Sequence, residues 1–327
     1  YITPEGSLSG WVQFGHHRGP LNQVLLPGTG LHRHQPGVSS PFPTDPNDRL
    51  RWSRLIGALG ESAWKRLRQQ QYALIGLGRI GSMLTNDLAH LGVSSVIGVD
   101  PDLVEIWNLD AMDGVLLTDI AQPKVEAIAR WFRQVWPPGR FSSIPYPIES
   151  TFALNRCKQA DIIFSCADNE HARFTAAMLA TFYHRPLIEI GTGVLDIHGQ
   201  RRCGLEIRTI LPDGNGCPVC LCGPFERNLL RRSPEEFGQG ERLSSLRSLN
   251  HAAVGHAMMQ LELLAQGSLS VSTHLRIDFD HQGNIQRNFS RHLQQNPQCT
   301  FCTYKGAGDI GLRCMDDLER LYIHGAM

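Results

Sequence analysis

No stretch of the 327-residue sequence approaches the roughly 20 consecutive apolar residues that a bilayer-spanning helix needs, and no signal peptide opens it, so the reading is a soluble protein with no membrane contact. The sequence starts at Tyr1 without an initiator Met, as a trimmed or processed chain would. Net charge is also missing, because 31 Lys and Arg are matched by 31 Asp and Glu. No overall field draws in a polyanion, and nucleic acid is not expected as a partner. Internal repeats and low-complexity tracts are absent, which sets solenoids and long disordered segments aside. An even cysteine framework is lacking as well. Of nine Cys, four fall in two C-x-x-C pairs, which fits metal or redox chemistry in a reducing compartment better than disulfides, and the compartment read from this is the cytoplasm.

What is present begins with 42% hydrophobic residues, enough for a real core in one large α/β domain or two modest ones. The most informative stretch is 72–124. Residues 72–75 form a short apolar run, Gly76-Leu77-Gly78-Arg79-Ile80-Gly81 is a G-x-G-x-x-G turn, 82–91 carries helical apolar spacing, and 96–99 is a second strand closed by Asp100. In that order, Gly76, Gly78 and Gly81 let the backbone approach a phosphate. The helix start offers unpaired N–H groups and a positive dipole end, and Asp100 can hold ribose hydroxyls. The stretch predicts a nucleotide site without choosing the nucleotide.

Residues 1–48, rich in Gly, Pro and His, read as a β-rich extension or the tail of a preceding domain, with β-like runs at 10–14 and 21–26. A helix capped by Asp48 or Ser53 is expected over about 50–69. After the glycine turn, the spacing predicts helices at 124–135, 152–158 and 172–183 and buried strands at 161–164 and 187–190. Alternation of this kind argues a doubly wound, Rossmann-like, mostly parallel sheet. Strands near 203–210, 273–279 and 285–289 look antiparallel, and a charged loop and a helix over 251–265 lie between the first two.

Cys217, Cys220, Cys299 and Cys302 form two thiolate pairs about eighty residues apart, the donor set of a closed four-cysteine zinc site spanning 217–302. Cys222, two residues beyond, reads as an inert neighbour. Asp168, in Cys166-Ala167-Asp168-Asn169, follows a strand whose carboxyl end faces the ligand crevice, where a carboxylate beside a triphosphate implies Mg²⁺. Taken alone, Lys124 and Arg54 are solvated surface charges and Asn108 a turn residue.

Together these residues resemble the ThiF-type adenylyltransferases, the superfamily of ubiquitin-activating enzymes and of the activators of sulfur-carrier proteins. Arg51-Trp52-Ser53-Arg54 is similar to the family's R-Y-x-R helix, and Gly76 to Ser82 to its glycine turn. Asp100-Pro101-Asp102 matches its D-x-D, Asn108-Leu109 its N-L, Gln122-Pro123-Lys124 its Q-P-K, and Cys166 to Asn169 with Arg173 its C-x-D-N and arginine. The resemblance covers about residues 50 to 302. It implies an adenylation domain over 49–327 with a crossover loop near 223–250. It also implies ATP-dependent adenylation of the C-terminal carboxylate of a ubiquitin-like, β-grasp protein ending in glycine, with transfer to a conjugating-enzyme-like partner as a further step. By the same resemblance, Asp100 holds the ribose and Asp102 and Asn108 shape the pocket. Lys124 and Arg54 neutralise phosphate charge, with Arg54 reaching in from the second subunit of a homodimer, and Asp168 binds Mg²⁺.

The sequence departs from this pattern in three places. Ala111 stands where the family carries an arginine, and Arg79 in the glycine turn is the candidate substitute. The crossover loop has no cysteine, so either the enzyme stops at the acyl-adenylate or Ser244, Ser245 or Ser248 accepts the acyl group with His251 as base. Residues 1–48 are additional, and there His32 and His34 with Asp45 resemble the ligand spacing of JAMM-type zinc isopeptidases. Phe42 stands in place of the expected serine, so they are read as surface histidines. Two alternatives stay open: an NAD-dependent oxidoreductase with structural zinc, and a non-catalytic scaffold for a ubiquitin-like partner.

Overall fold

The computed structural model describes residues 10–20, 24–26, 32–34, 46–197, 199–212, 214–222, 241–243, 245–297 and 299–312. Two small antiparallel ribbons come first, β1 (Trp11–Phe14) with β2 (His17–Pro20) and β3 (Val24–Leu26) with β4 (His32–His34). Asp45 and Phe42 lie outside the described residues, so the His32, His34, Asp45 pattern gains no geometry.

Three short helices, α1 (Pro46–Arg51), α2 (Ser53–Leu59) and α3 (Glu61–Gln69), replace the single helix expected over 50–69. Gly60 breaks it with φ +84° and ψ 149°, a conformation only glycine adopts freely. Trp52 breaks it earlier by turning its ring into the core, where its indole N–H donates to the His90 carbonyl at 2.8 Å.

The central sheet is built from β5 (Gln71–Ile75), β6 (Ser95–Val99), β7 (Arg140–Ile144), β8 (Ile162–Ser165), β9 (Leu187–Ile197), β10 (Gln200–Ile210), β11 (Glu241–Leu243), β12 (Thr273–Phe279) and β13 (Ile285–His292). Its order is β13-β12-β10-β9-β8-β5-β6-β7, with β11 on β9. Pairing is parallel from β7 to β9 and antiparallel from β9 to β13. The doubly wound α/β sheet with antiparallel C-terminal strands is therefore the observed fold.

Helices cover both faces. On one face α3, α4 (Arg79–Leu91), α5 (Lys124–Val135) and α9 (Arg247–Gln266) pack on Tyr72, Leu74, Val96, Phe164 and Ile207. On the other, α6 (Thr151–Cys157) and α7 (Glu170–Phe182) pack on Ala73, Ile75, Val99 and Ile163, and the short helices α8 (Pro218–Cys222) and α10 (Thr300–Thr303) extend that layer. The chain leaves β5 toward β6 and β7, then returns to β8 and β9 on the other side. The carboxyl ends of β5 and β8 thus form the switch point where a doubly wound sheet opens its ligand crevice. No helix among the described residues is long and apolar enough to cross a membrane.

Candidate active site

The three glycines of the turn differ in what surrounds them. Gly76 leaves β5 with φ +88°, and a Cβ there would lie 2.9 Å from Ala167 N and Cys166 C. The glycine turn and the loop after β8 therefore touch backbone to backbone. At Gly81 a Cβ would sit 2.0 Å from the Gly76 carbonyl oxygen, so this glycine lets α4 close onto the turn. At Gly78, the N-cap of α4, a Cβ would meet nothing within 4 Å. That open space lies before the first amides of a 13-residue helix, which have no partners within the helix and carry its positive dipole end.

Asp100, at the end of β6, is buried and accepts from the Leu77 amide at 2.7 Å and the Asp102 amide at 2.9 Å. Burial pushes its carboxyl up from the ordinary range, and the nearby Lys124 charge opposes that shift. Lys124, first residue of α5, is itself buried. Its Nζ is 2.8 Å from the exposed carboxylate of Asp102, and its amide donates to the Asp102 carbonyl at 3.0 Å. Asn108 is buried and structural in its contacts, its Oδ1 accepting from the Glu105 amide at 2.9 Å. Asp100, Asp102 and Lys124 are thus gathered at one edge of the glycine turn.

Asp168 closes the other edge. It is exposed, has no hydrogen bond or ion pair with the described residues, and lies two residues from Cys166, whose amide donates to the Ile75 carbonyl at 2.8 Å. Asn169 caps α7 through a 2.8 Å bond from the Ala172 amide. Arg173 Nε donates to the Ala167 carbonyl at 2.7 Å, and its guanidinium faces buried Glu189 at 3.6 Å. Burial pushes the Cys166 thiol up to about 12, which makes it a packing residue. Sequence reasoning missed Glu189, whose one signal is a charge inside the apolar run Leu187-Ile188-Glu189-Ile190.

Arg79 is the first residue of α4, and its guanidinium donates to the Ser245 carbonyl at 2.8 Å and pairs with Asp110 at 3.4 Å. Ala111, the next residue, is buried. Arg79 thus places a cation beside the position that departs from the family pattern. Ser245 Oγ donates to Asn250 Oδ1 at 2.5 Å and lies 3.3 Å from Thr192 Oγ1, so its partners are these side chains and not His251, which is exposed on α9. Ser248 is exposed on the first turn of α9, and Ser244 and residues 223–240 lie outside the described residues.

Arg54 is not part of this assembly within the chain. It lies two residues past Trp52, whose ring sits against Gly92 and whose N–H bonds His90, at the C-terminal end of α4. A 13-residue helix is about 20 Å long, so Arg54 is roughly one helix length from the glycine turn.

A separate cluster lies under α7. Cys217, Cys220, Cys299 and Cys302 place their sulfurs within 4.8 Å of one another, with neighbouring pairs at 3.7, 3.6 and 3.5 Å. Zn–S bonds of about 2.3 Å at tetrahedral angles separate sulfurs by roughly 3.8 Å, so the set fits a metal ion. The side chain of Cys222 lies outside the described residues.

The model of the ThiF family matches residues 52–270. The human ubiquitin-like modifier-activating enzyme 7 is 30% identical over 262 residues, 73% of this chain and 26% of that protein. A ubiquitin-activating enzyme E1-like protein of Saccharomyces cerevisiae is 33% identical over 174 residues, covering 52% of this chain and 26% of its own length. The chain thus spans about a quarter of these relatives. Among solved structures, Escherichia coli MccB superposes with a TM-score of 0.59 at 20% identity over 82% of this chain and 74% of that one, a likeness of fold. With more than half its length matched, from Trp52 through the end of α9, the chain belongs to the ThiF family.

Proposed function

We propose that the protein is an ATP-dependent adenylyltransferase that activates the C-terminal carboxylate of a small ubiquitin-like protein ending in glycine. The observation that carries this reading is the meeting, at the switch point of the sheet, of an open Gly78 before α4, the Asp102–Lys124 pair and an exposed Asp168 that has no partner among the described residues. A hydride-transfer enzyme has no use for a buried lysine and an exposed carboxylate flanking the phosphate cradle, and the family assignment supports adenylation instead.

The chemistry is attack of a carboxylate oxygen on the α-phosphorus of ATP, which forms the acyl-phosphate bond and breaks the bond to pyrophosphate. The nucleophile is already ionised, so no general base is needed. The barrier is the approach of two anions, and prearranged cations lower it. In this reading the α4 amides and Gly76 to Gly81 hold the phosphates, Lys124 swings from Asp102 to the phosphate oxygens, and Asp100 offers its remaining lone pairs to the ribose. Asp168 would hold Mg²⁺, which supplies charge neutralisation on the leaving pyrophosphate. The four cysteines would hold a structural zinc that ties α8 to α10.

The hydroxyl of Ser245 is engaged with Asn250, which supports an enzyme that stops at the acyl-adenylate and passes it to a separate acceptor, such as a conjugating-enzyme-like partner. A homodimer is supported by the exposed apolar side chains Leu103, Trp107, Leu116 and Leu117 beside the site, on a loop held firmly by the bidentate Asp119–Arg130 pair. The test is exchange of radiolabelled pyrophosphate into ATP in the presence of a β-grasp protein ending in Gly-Gly. Exchange that needs the carrier's terminal glycine is expected. NAD binding in its place, or ATP binding with no exchange, would overturn the reading.

A further inference from the structure

A row of buried charges crosses the sheet and ends at the loop that carries Asp168. Arg208 on β10 donates to Glu189 on β9 at 2.7 Å and to Glu206 at 2.7 and 3.0 Å, and Glu206 lies 2.5 Å from His274 on β12. Glu189 faces Arg173 at 3.6 Å, and Arg173 holds the Ala167 carbonyl at 2.7 Å. Ala167 immediately precedes Asp168. From the other side the same loop rests on Gly76, where no Cβ fits. The loop is therefore clamped between the glycine turn and a guanidinium whose own position is set by a carboxylate 3% exposed.

Such a row is costly to bury and does little for stability when apolar residues of similar volume could replace it. Glu189 also keeps Oε2 without a hydrogen-bond partner among the described residues, as does Oγ of Ser165, its register partner on β8. Unsatisfied buried acceptors of this kind are rare and point to a role beyond packing. The row links the antiparallel half of the sheet to Asp168, which has no partner among the described residues.

We propose that Glu189 is a positioning residue for Asp168: through Arg173 it fixes the loop after β8 so that the Asp168 carboxylate meets the divalent cation on the triphosphate. The inference rests on the adenylyltransferase reading. Without Glu189 the Arg173 guanidinium is free to leave Ala167, and the loop loses the bond that sets its height above Gly76. Lys124 and the α4 amides are untouched, so binding of the nucleotide itself should persist while its dependence on the cation falls.

The experiment measures ATP affinity calorimetrically with Mg²⁺ and again with EDTA, for the wild type, Glu189→Gln, Arg173→Lys and Asp168→Asn. The wild type is expected to bind Mg·ATP at least tenfold more tightly than free ATP, and Asp168→Asn to abolish that ratio. Glu189→Gln is expected to reduce it about tenfold with the EDTA value unchanged. Arg173→Lys, which keeps the charge but loses the planar Nε–H, should behave alike, and it carries the test if Glu189→Gln does not fold. A wild-type ratio retained in whichever of these two variants folds would overturn the positioning role while leaving the adenylyltransferase reading intact. A wild type that binds no ATP would overturn both.

Discussion

The two outer glycines of the turn pack against protein, and the middle one faces open space, so the three substitutions to alanine should fail in different ways. A methyl at Gly81 would stand 2.0 Å from the Gly76 carbonyl oxygen, well inside contact distance, and α4 would have to lift off the turn. A methyl at Gly76 would press on the Ala167 backbone at 2.9 Å in a conformation, φ +88°, that L residues rarely adopt. Overpacking of this kind costs about 1–3 kcal/mol, and the strained backbone adds about 1–2 more. At about 2–4 °C per kcal/mol for a domain of this size, both variants should melt several degrees below the wild type. Gly78→Ala meets nothing within 4 Å, so its cost should be limited to the about 1 kcal/mol that alanine costs at an N-cap. Its methyl nonetheless occupies the space where a phosphate would approach the α4 amides. A clash worth about 1–3 kcal/mol weakens ATP binding roughly 5- to 150-fold. Thermal melts and calorimetric ATP titration on the three variants separate the effects. Gly78→Ala binding ATP as tightly as the wild type would refute the phosphate cradle.

Arg79→Ala should lower ATP–pyrophosphate exchange at least tenfold if its guanidinium serves the phosphates beside Ala111, and unchanged exchange would remove it from the mechanism. Metal analysis should find one zinc per chain, and Cys299→Ser should lose it and lower the melting temperature; an intact melting temperature in a metal-free variant would show that the four sulfurs do not hold a structural ion. The Arg130 hydrogen bond holds the Asp119 carboxyl below its ordinary range, so its contribution is full above the usual carboxylate pKa and is lost as pH falls through the lowered value. Asp119→Asn should therefore cost about 1–2 kcal/mol at neutral pH, allowing for partial exposure of Arg130, and the difference from the wild type should shrink below about pH 4.

Local patterns made much of the sheet and its helices legible. The helix expected at 124–135 is α5 to the residue, because Pro123 opens it and Pro137-Pro138 closes it. The strand at 273–279 is β12, set by alternating apolar positions. Strand β7 was not foreseen, since Arg140-Phe141-Ser142-Ser143-Ile144 carries only two apolar residues; as the edge strand it pairs with β6 alone and needs no continuous apolar run. The helix expected over 50–69 failed at Gly60 and at Trp52, the latter through a tertiary contact no periodicity reveals. The same division holds at the site. The glycine turn and the cysteine pairs are short motifs whose spacing states their geometry. The Arg173–Glu189–Arg208 row depends on β9 and β10 meeting in one register, which exists only once the sheet is assembled.

The position of Arg54 leads to a prediction that discriminates between one chain and two. Arg68, 3% exposed, stacks on Trp52, Trp64 and Trp136 at 4.3, 4.7 and 5.3 Å, and Arg51 lies over Trp52 and Trp136 at 4.9 and 5.1 Å. Buried cation–π contacts are worth about 1–2 kcal/mol each at best, so this cage holds the start of α2 against the C-terminal ends of α4 and α5. Arg54 therefore cannot swing to the glycine turn of its own chain, and if it neutralises phosphate charge it must do so on a second copy. Arg54→Ala and Lys124→Ala should each abolish exchange as pure proteins. Mixed, unfolded and refolded together at equal amounts, half of randomly paired dimers contain one chain of each kind. In those dimers one of the two sites keeps Lys124 from its own chain and Arg54 from the other, which restores about a quarter of wild-type activity. An arginine acting within its own chain would leave every site in the mixture defective, and activity would stay at the level of the separate variants.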